Sequence, residues 1–388
     1  MKHINRIKYM LLVLISIMIG VIVAAIIHNH DVKTYWWAHI LIVLATIFIT
    51  LAVHELTHAF IFSINKIKIK AVYLFMFMFI RKGKCFTLKV NPKLLLLGGG
   101  LVVPKLPPIT NDDELDVVKD KLAKSLIAAP IVSIIFGFLM FIIFLLLLFL
   151  SPSLPLISYM ITSTFTILIL TVLVIIASSA SNEMAAGDFV AYNKVKNEPD
   201  YLLQVISSYI HFNEEAKELS QEYLLNNKIT YLLNHGLNYN IVTYSYIIDY
   251  LEAVIFENYK RNHVLENQIL SLNRNILNRT NEGISVLFLI SYLHYISGDD
   301  VKTFELLTFL EATDNPKVSE KHLTYELKKA HHLLNISDEL DFLKNKKNLE
   351  IGLNWIFEPL FDNQEDKTLN VKLKKGIKIP KISFYNRL

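Results

Sequence analysis

Only one cysteine, Cys85, occurs in 388 residues. No disulfide can therefore close within the chain, and no thiolate-based zinc motif can form. Any metal must be held by His and carboxylates. Charge is scarce too, at 19% of residues against 53% hydrophobic, which is too apolar for an ordinary soluble enzyme. The formal net charge of +4 is modest for this length and argues against a nucleic-acid partner.

The apolar residues crowd the first half. Four runs, 9–27, 37–64, 125–150 and 157–180, approach or exceed the ~20 residues needed to cross a bilayer core. The first follows Lys2, Arg6 and Lys8 and is too long, with no small-residue cleavage site, for a signal peptide, so it reads as an anchor. Eight Lys/Arg and no acid lie between residues 65 and 93, whereas the loops 28–35 and 151–156 hold only Lys33. Basic residues concentrate on the cytoplasmic side, so the spacing predicts a multi-pass protein of the cell membrane with both termini in the cytoplasm.

Between the spans, 67–80 and 84–90 are rich in β-branched and aromatic residues and are separated by Arg81-Lys82-Gly83, which predicts a small β-hairpin after the second span. The stretch 91–108, with Gly98 to Gly100 and Pro104, is too short and too broken to span and reads as a re-entrant or surface-lying segment. Its glycines are expected to allow the fold-back. Thr110 or Asn111 can cap a helix whose first turn carries Asp112, Asp113 and Glu114, the charge favoured at a helix N-terminus. From 193 to 366 the chain is charged and Asn-rich with helical periodicity, and ISYLHYISGDDVKTFELLTFLEA has a helix, Gly-Asp turn and helix rhythm. The tail 367–388 holds seven Lys/Arg and no acid, suited either to anionic lipid or to solvent. The expected fold is mainly α: a polytopic membrane protein of about four spans. It divides into an anchor and outer loop (1–36), a core (37–192), a helical, solenoid-like cytoplasmic domain (193–366) and a basic tail.

The second run contains VHELTHAF, residues 53–60. Ionisable groups at membrane depth cost at least ~2.5 kcal/mol each on insertion scales, so they mark function by default. On a helix His54 and His58 point from one face with about 6 Å between them, close enough for both imidazoles to reach one ion. With 13 His in the chain, only ~0.02 chance occurrences of this five-residue pattern are expected. A zinc ion held there would make a bound water acidic near neutral pH, and Glu55 is the carboxylate beside it, suited to act as general base and then general acid in peptide hydrolysis.

A third ligand is needed. Among the spans the only other His is His39, near the outer mouth, which leaves Asp188 and Glu183 beyond the fourth run. Counted as straight rods, His58 lies about 32 Å from Trp37, Asp188 about 46 Å from Ile157 and Glu183 about 39 Å from Ile157. Whichever carboxylate is not a ligand is available to orient a ligating His.

The HExxH in an apolar helix, the hairpin after it, the glycine-rich LLLLGGGLVVP, the Pro-containing LIAAPIVSIIFG and an Asp after a later span resemble the site-2-protease-like intramembrane zinc metalloproteases. The resemblance covers residues 37–192. It implies Zn2+ held by His54, His58 and Asp188, with Glu55 catalytic. In that family an Asp followed by Gly is usual, whereas here Gly187 precedes Asp188 and Phe189 follows it. The family's Gly-Pro pair appears as Ala129-Pro130, and its Asn-and-Pro spacing before the Asp is not reproduced. The implied activity is hydrolysis of a membrane-embedded or membrane-associated protein or peptide near the cytoplasmic face, with the bilayer as setting and a cytoplasmic protein partner for the helical domain. The rival is a non-catalytic membrane scaffold or peptide-handling partner with a structural or vestigial metal site.

Overall fold

A computed structural model of the chain describes residues 34–97, 100–150, 153–181, 186–345, 348, 356–360, 367–370 and 373. The expected first span, Gly98, Gly99, Glu183 and most of the basic tail lie outside them. The structure divides into two compact units; the division follows Ala216, and Ile109–Asn111 are counted with the second unit.

Among the described residues, three helices of the first unit are long and apolar enough to cross a membrane: α1 (Trp36–Ile64), α2 (Asp112–Phe149) and α3 (Leu154–Ser178). Their burial is inverted relative to a soluble bundle. On α1 the buried residues are Thr46, Thr50, Glu55, Thr57, His58 and Phe62, while Ile40, Leu41, Leu44, Phe48, Ile49, Leu56 and Phe60 are exposed. Likewise α3 buries Ser158, Thr164, Thr171 and Ser178. A lipid solvent accounts for this pattern: apolar side chains gain nothing by leaving the hydrocarbon, whereas small and polar ones gain close packing and hydrogen bonds between helices. Three of the buried hydroxyls are satisfied within their own helix, Thr50 donating to Thr46 O (2.9 Å), Thr57 to Val53 O (2.7 Å) and Thr171 to Ile167 O (2.8 Å). Helix α2 begins with the expected acidic turn and continues through Pro130 for 38 residues.

The expected hairpin is part of a larger sheet. Strands β1 (Lys68–Leu74), β2 (Phe77–Lys82), β3 (Cys85–Val90) and β4 (Gly100–Lys105) form an antiparallel sheet in the order β3-β2-β1-β4. Two features depart from the sequence expectation. The apolar run 67–80 is broken by a two-residue turn at Phe75-Met76, with Leu74 paired to Phe77. Phe75 takes a positive φ of 53°, a conformation that such a side chain rarely adopts; stacking on Phe48 of α1, with ring centroids 5.9 Å apart, holds it there. Second, the stretch expected to be re-entrant supplies β4, paired with β1 from Lys68↔Lys105 to Leu74↔Gly100. Pro104 is tolerated because β4 is an edge strand, where a missing N–H breaks no interior ladder. The buried side is filled by Ala71, Tyr73, Met78, Ile80, Val103 and Leu106.

Beyond α3, α4 (Asp188–Asn197) and α5 (Pro199–Ile210) still belong to the first unit. Helix α6 (Glu214–His235) has its first turn there and the rest in the second unit, with α7 (Ile241–Phe256), α8 (His263–Leu270), α9 (Arg274–Leu277), α10 (Asn281–Ile296), α11 (Asp300–Glu311), α12 (Glu320–Leu333) and α13 (Leu340–Lys344). The Asn-rich composition has a local reason: Asn240, Asn262 and Asn273 accept backbone N–H groups at helix starts, as do Thr280, Asp299 and Ser319. The Gly298-Asp299 turn joins α10 to α11 as its sequence rhythm implied. Helix α10, buried along nearly its whole length, packs with α7, α9, α11 and α12 and forms the centre of this unit. Buried Glu266 is neutralised by Arg261 (2.7 Å) and hydrogen-bonded by the Tyr250 hydroxyl (3.2 Å).

Candidate metal centre

Helix α1 fixes the first two groups. His54 and His58, one turn apart, present rings 5.1 Å apart at 86° to one another. Both Nε2 atoms face one carboxylate oxygen, Asp188 Oδ2, at 3.1 Å from His54 and 3.6 Å from His58.

Asp188 arrives here because α3 stops at Ser178. Ser181 then pairs with Ala186, and Gly187 N–H donates to Ala180 O (2.8 Å), so the backbone returns to the end of α3 before α4 begins at Asp188. This return is why the straight-rod count overshoots: the rise stops accumulating at Ser178. Gly187 is required by space. A Cβ there would overlap Ala177 O and lie 2.7 Å from the Ser178 backbone. Gly187→Ala is expected to cost about 1–3 kcal/mol through overpacking, read as a lower thermal midpoint in detergent, and to weaken zinc binding by displacing Asp188.

Glu55 is buried beside the histidines, and the Gly100 backbone N–H donates to its carboxylate. Gly100 opens β4 and pairs with Leu74. A Cβ at this position would overlap Glu55 Cγ and approach Tyr73 O at 2.6 Å, so Gly100 serves by lacking a side chain and not through a positive φ. Gly100→Ala should displace the Glu55 carboxylate and lower activity about 10–10²-fold with zinc content unchanged, measured by turnover beside elemental analysis.

The donor set fits a small divalent cation. Zinc bonds of 2.0–2.1 Å at tetrahedral angles put neighbouring ligand atoms about 3.4 Å apart. The two nitrogen-to-oxygen separations, 3.1 and 3.6 Å, bracket that value, and all three ligand atoms lie within 4.8 Å of one another. Two imidazoles and one carboxylate, without sulfur, are also zinc's usual partners where a fourth position is left open. Among the described residues this is the one His, Cys, Asp and Glu group so disposed. Glu183 lies outside them, and His39 is far along α1, bonded to Thr162 Oγ1 at 2.8 Å.

Sequence reasoning missed two residues. His54 Nδ1 lies 3.0 Å from Ser133 Oγ and His58 Nδ1 lies 3.2 Å from Ser125 Oγ, both serines standing on α2 and fully buried. The supporting role foreseen for a carboxylate is occupied, in the described residues, by hydroxyls. The signal was present as two serines, each four residues from Ala129, in the otherwise apolar run 125–150.

Neither the curated proteins nor the solved structures contain a match to the chain. The family model that does match, peptidase family M50, aligns with residues 42–311 and so takes in the sheet, the three apolar helices and much of the C-terminal helical part. That span is well over half of the sequence, and the chain accordingly belongs to peptidase family M50, the site-2-protease family of membrane metalloproteases.

Proposed function

We propose that the chain is a zinc-dependent intramembrane endopeptidase in which His54, His58 and Asp188 hold the metal and Glu55 is the general base and acid. The observation that carries this reading is the convergence of two Nε2 atoms on one Asp188 oxygen, with the Glu55 carboxylate beside them. Zinc bound there supplies an acidic water, with a pKa near ~7, and polarises the scissile carbonyl. The chain's own groups do the rest. Glu55, held by Gly100 N–H, takes the water's proton and returns it to the leaving amine.

A substrate that enters as a membrane helix has its amides paired internally and must unwind before hydrolysis. Strand β4 lies at the edge of the sheet and starts beside Glu55. An extended substrate segment pairing along that edge would regain its backbone hydrogen bonds and place a carbonyl near the carboxylate. The substrate is a membrane-embedded or membrane-associated polypeptide cut near the cytoplasmic face, by the side on which the basic loops lie. The family match supports substrates in the bilayer and gives no support to a cytoplasmic partner of the C-terminal helices.

The test is a trap. Cells carrying Glu55→Gln protein should accumulate, bound to it, a membrane polypeptide that the wild-type protein shortens. Recovery of the same partners, uncut, with both proteins would contradict a peptidase and leave a scaffold.

A further inference from the structure

We propose that Ser125 and Ser133 are positioning residues of the metal centre, each accepting the Nδ1–H of one histidine so that both Nε2 lone pairs face the ion. The inference rests on the reading that His54, His58 and Asp188 hold that ion.

A serine hydroxyl has one hydrogen to donate and two lone pairs. Ser133 Oγ donates to Ala129 O at 2.9 Å. With that hydrogen on Ala129 O, the hydroxyl accepts from His54 Nδ1 at 3.0 Å and the imidazole carries its hydrogen on Nδ1. Ser125 Oγ meets the other ring at the corresponding atom, 3.2 Å from His58 Nδ1, and has His58 O at 3.4 Å as a weaker acceptor for its own hydrogen. The tautomer we assign to both rings leaves Nε2 for a metal, and their Nε2 atoms are the ones that converge on Asp188.

Placement supports the pairing. His54 meets Ser133 and His58 meets Ser125, the order expected of antiparallel helices. The serines are eight residues apart, about 12 Å along α2, while the histidines are about 6 Å apart along α1, so the hydroxyls bracket the imidazole pair from its two ends. Between them Ala129, wholly buried, is small enough to let the helices approach. Packing alone would ask only for small residues here. It would not ask for hydroxyls at the two positions that meet Nδ1 atoms.

A carboxylate in this supporting position would draw the Nδ1 proton and make the ligand more basic. A serine hydroxyl orients the ring with far less of that effect, leaving the bound cation more of its Lewis acidity. These serines therefore fix geometry without adding charge to a buried site.

The experiment measures zinc affinity by chelator competition, and thermal midpoints with and without zinc, on full-length detergent-solubilised protein. Wild type is compared with Ser125→Ala, Ser133→Ala, the double variant, Ser133→Thr and Asp188→Ala. Each Ala variant should bind zinc about 10–100-fold more weakly, the double variant more weakly still, and Ser133→Thr, which keeps an acceptor, within about threefold of wild type. The zinc-induced rise of the midpoint should shrink in each Ala variant, beyond any fall of the metal-free midpoint from the lost hydrogen bond. Equal affinity in wild type and the Ala variants, with Asp188→Ala weakened, overturns the serine assignment alone. Equal lowering of the midpoint with and without zinc, at unchanged affinity, likewise reduces the serines to packing. If wild type and Asp188→Ala bind zinc alike, the underlying metal reading fails and the proposal falls with it.

Discussion

Glu55→Gln is expected to lower peptide-bond hydrolysis by about 10²–10⁴-fold while leaving one zinc bound per chain. The amide has nearly the shape of the carboxylate but cannot take a proton, and the substitution touches none of the three groups that face one another across the site. Glu55 is buried, so the variant also tests whether its charge is structural. A neutral amide able to accept from Gly100 N–H should fold as well as wild type, or better, because no buried carboxylate remains to be compensated. Turnover of a fluorogenic or reconstituted membrane substrate, measured beside zinc content and thermal midpoint, separates these effects. A loss of activity that tracks a loss of zinc would place Glu55 in the metal's support and remove it from the chemistry.

Asp188→Ala should have the opposite signature, with zinc falling from about one per chain to below about a tenth and activity lost with it. Asp188 Oδ2 is the atom on which both Nε2 atoms converge, and α4, which begins there, is tied back to the end of α3 through Gly187. Two imidazoles without a carboxylate leave a cation underliganded in a low-dielectric setting. Elemental analysis of the purified variant after zinc loading and gel filtration makes the measurement. Zinc retained at wild-type level would exclude Asp188 as a ligand and return attention to other oxygen donors beyond α3.

What the sequence disclosed and what it hid divide by distance along the chain. HELTH is legible because helix geometry alone brings positions 54 and 58 together, and because polar groups in an apolar run stand out. The spans are legible because length and hydropathy decide them, and α1 and α3 fall within a few residues of the runs 37–64 and 157–180. Ser125 and Ser133 meet their partners across 67 and 79 residues of chain, and nothing local to a serine in an apolar helix says what it faces. Gly100 is a similar case: its neighbourhood suggests a bend, whereas its use depends on Glu55 approaching from another element.

The sheet shows a different failure. The turn at Phe75-Met76 carries none of the residues that mark turns, because Phe48 of α1 supplies the stabilisation that glycine or asparagine provides elsewhere. Strand β4 hid inside a glycine- and proline-broken apolar stretch with no period of two, since its pairing with β1 and its place against α1 decide its conformation. In the second unit, helix starts were readable through their Asn, Ser and Asp caps. The helix, turn and helix rhythm of α10 and α11 was readable, whereas the packing of α10 against helices before and after it rests on long-range contacts that periodicity does not encode.

The central claim is that two imidazoles of α1 and the carboxylate that opens α4 hold one divalent cation. X-ray absorption at the zinc edge of the purified wild-type protein tests it most directly. The account predicts one zinc per chain in a shell of nitrogen and oxygen only, at about 2.0–2.1 Å, with the signature of two imidazoles. A protein that takes up no zinc, a shell containing the Cys85 sulfur, or a spectrum without imidazole scattering would contradict it.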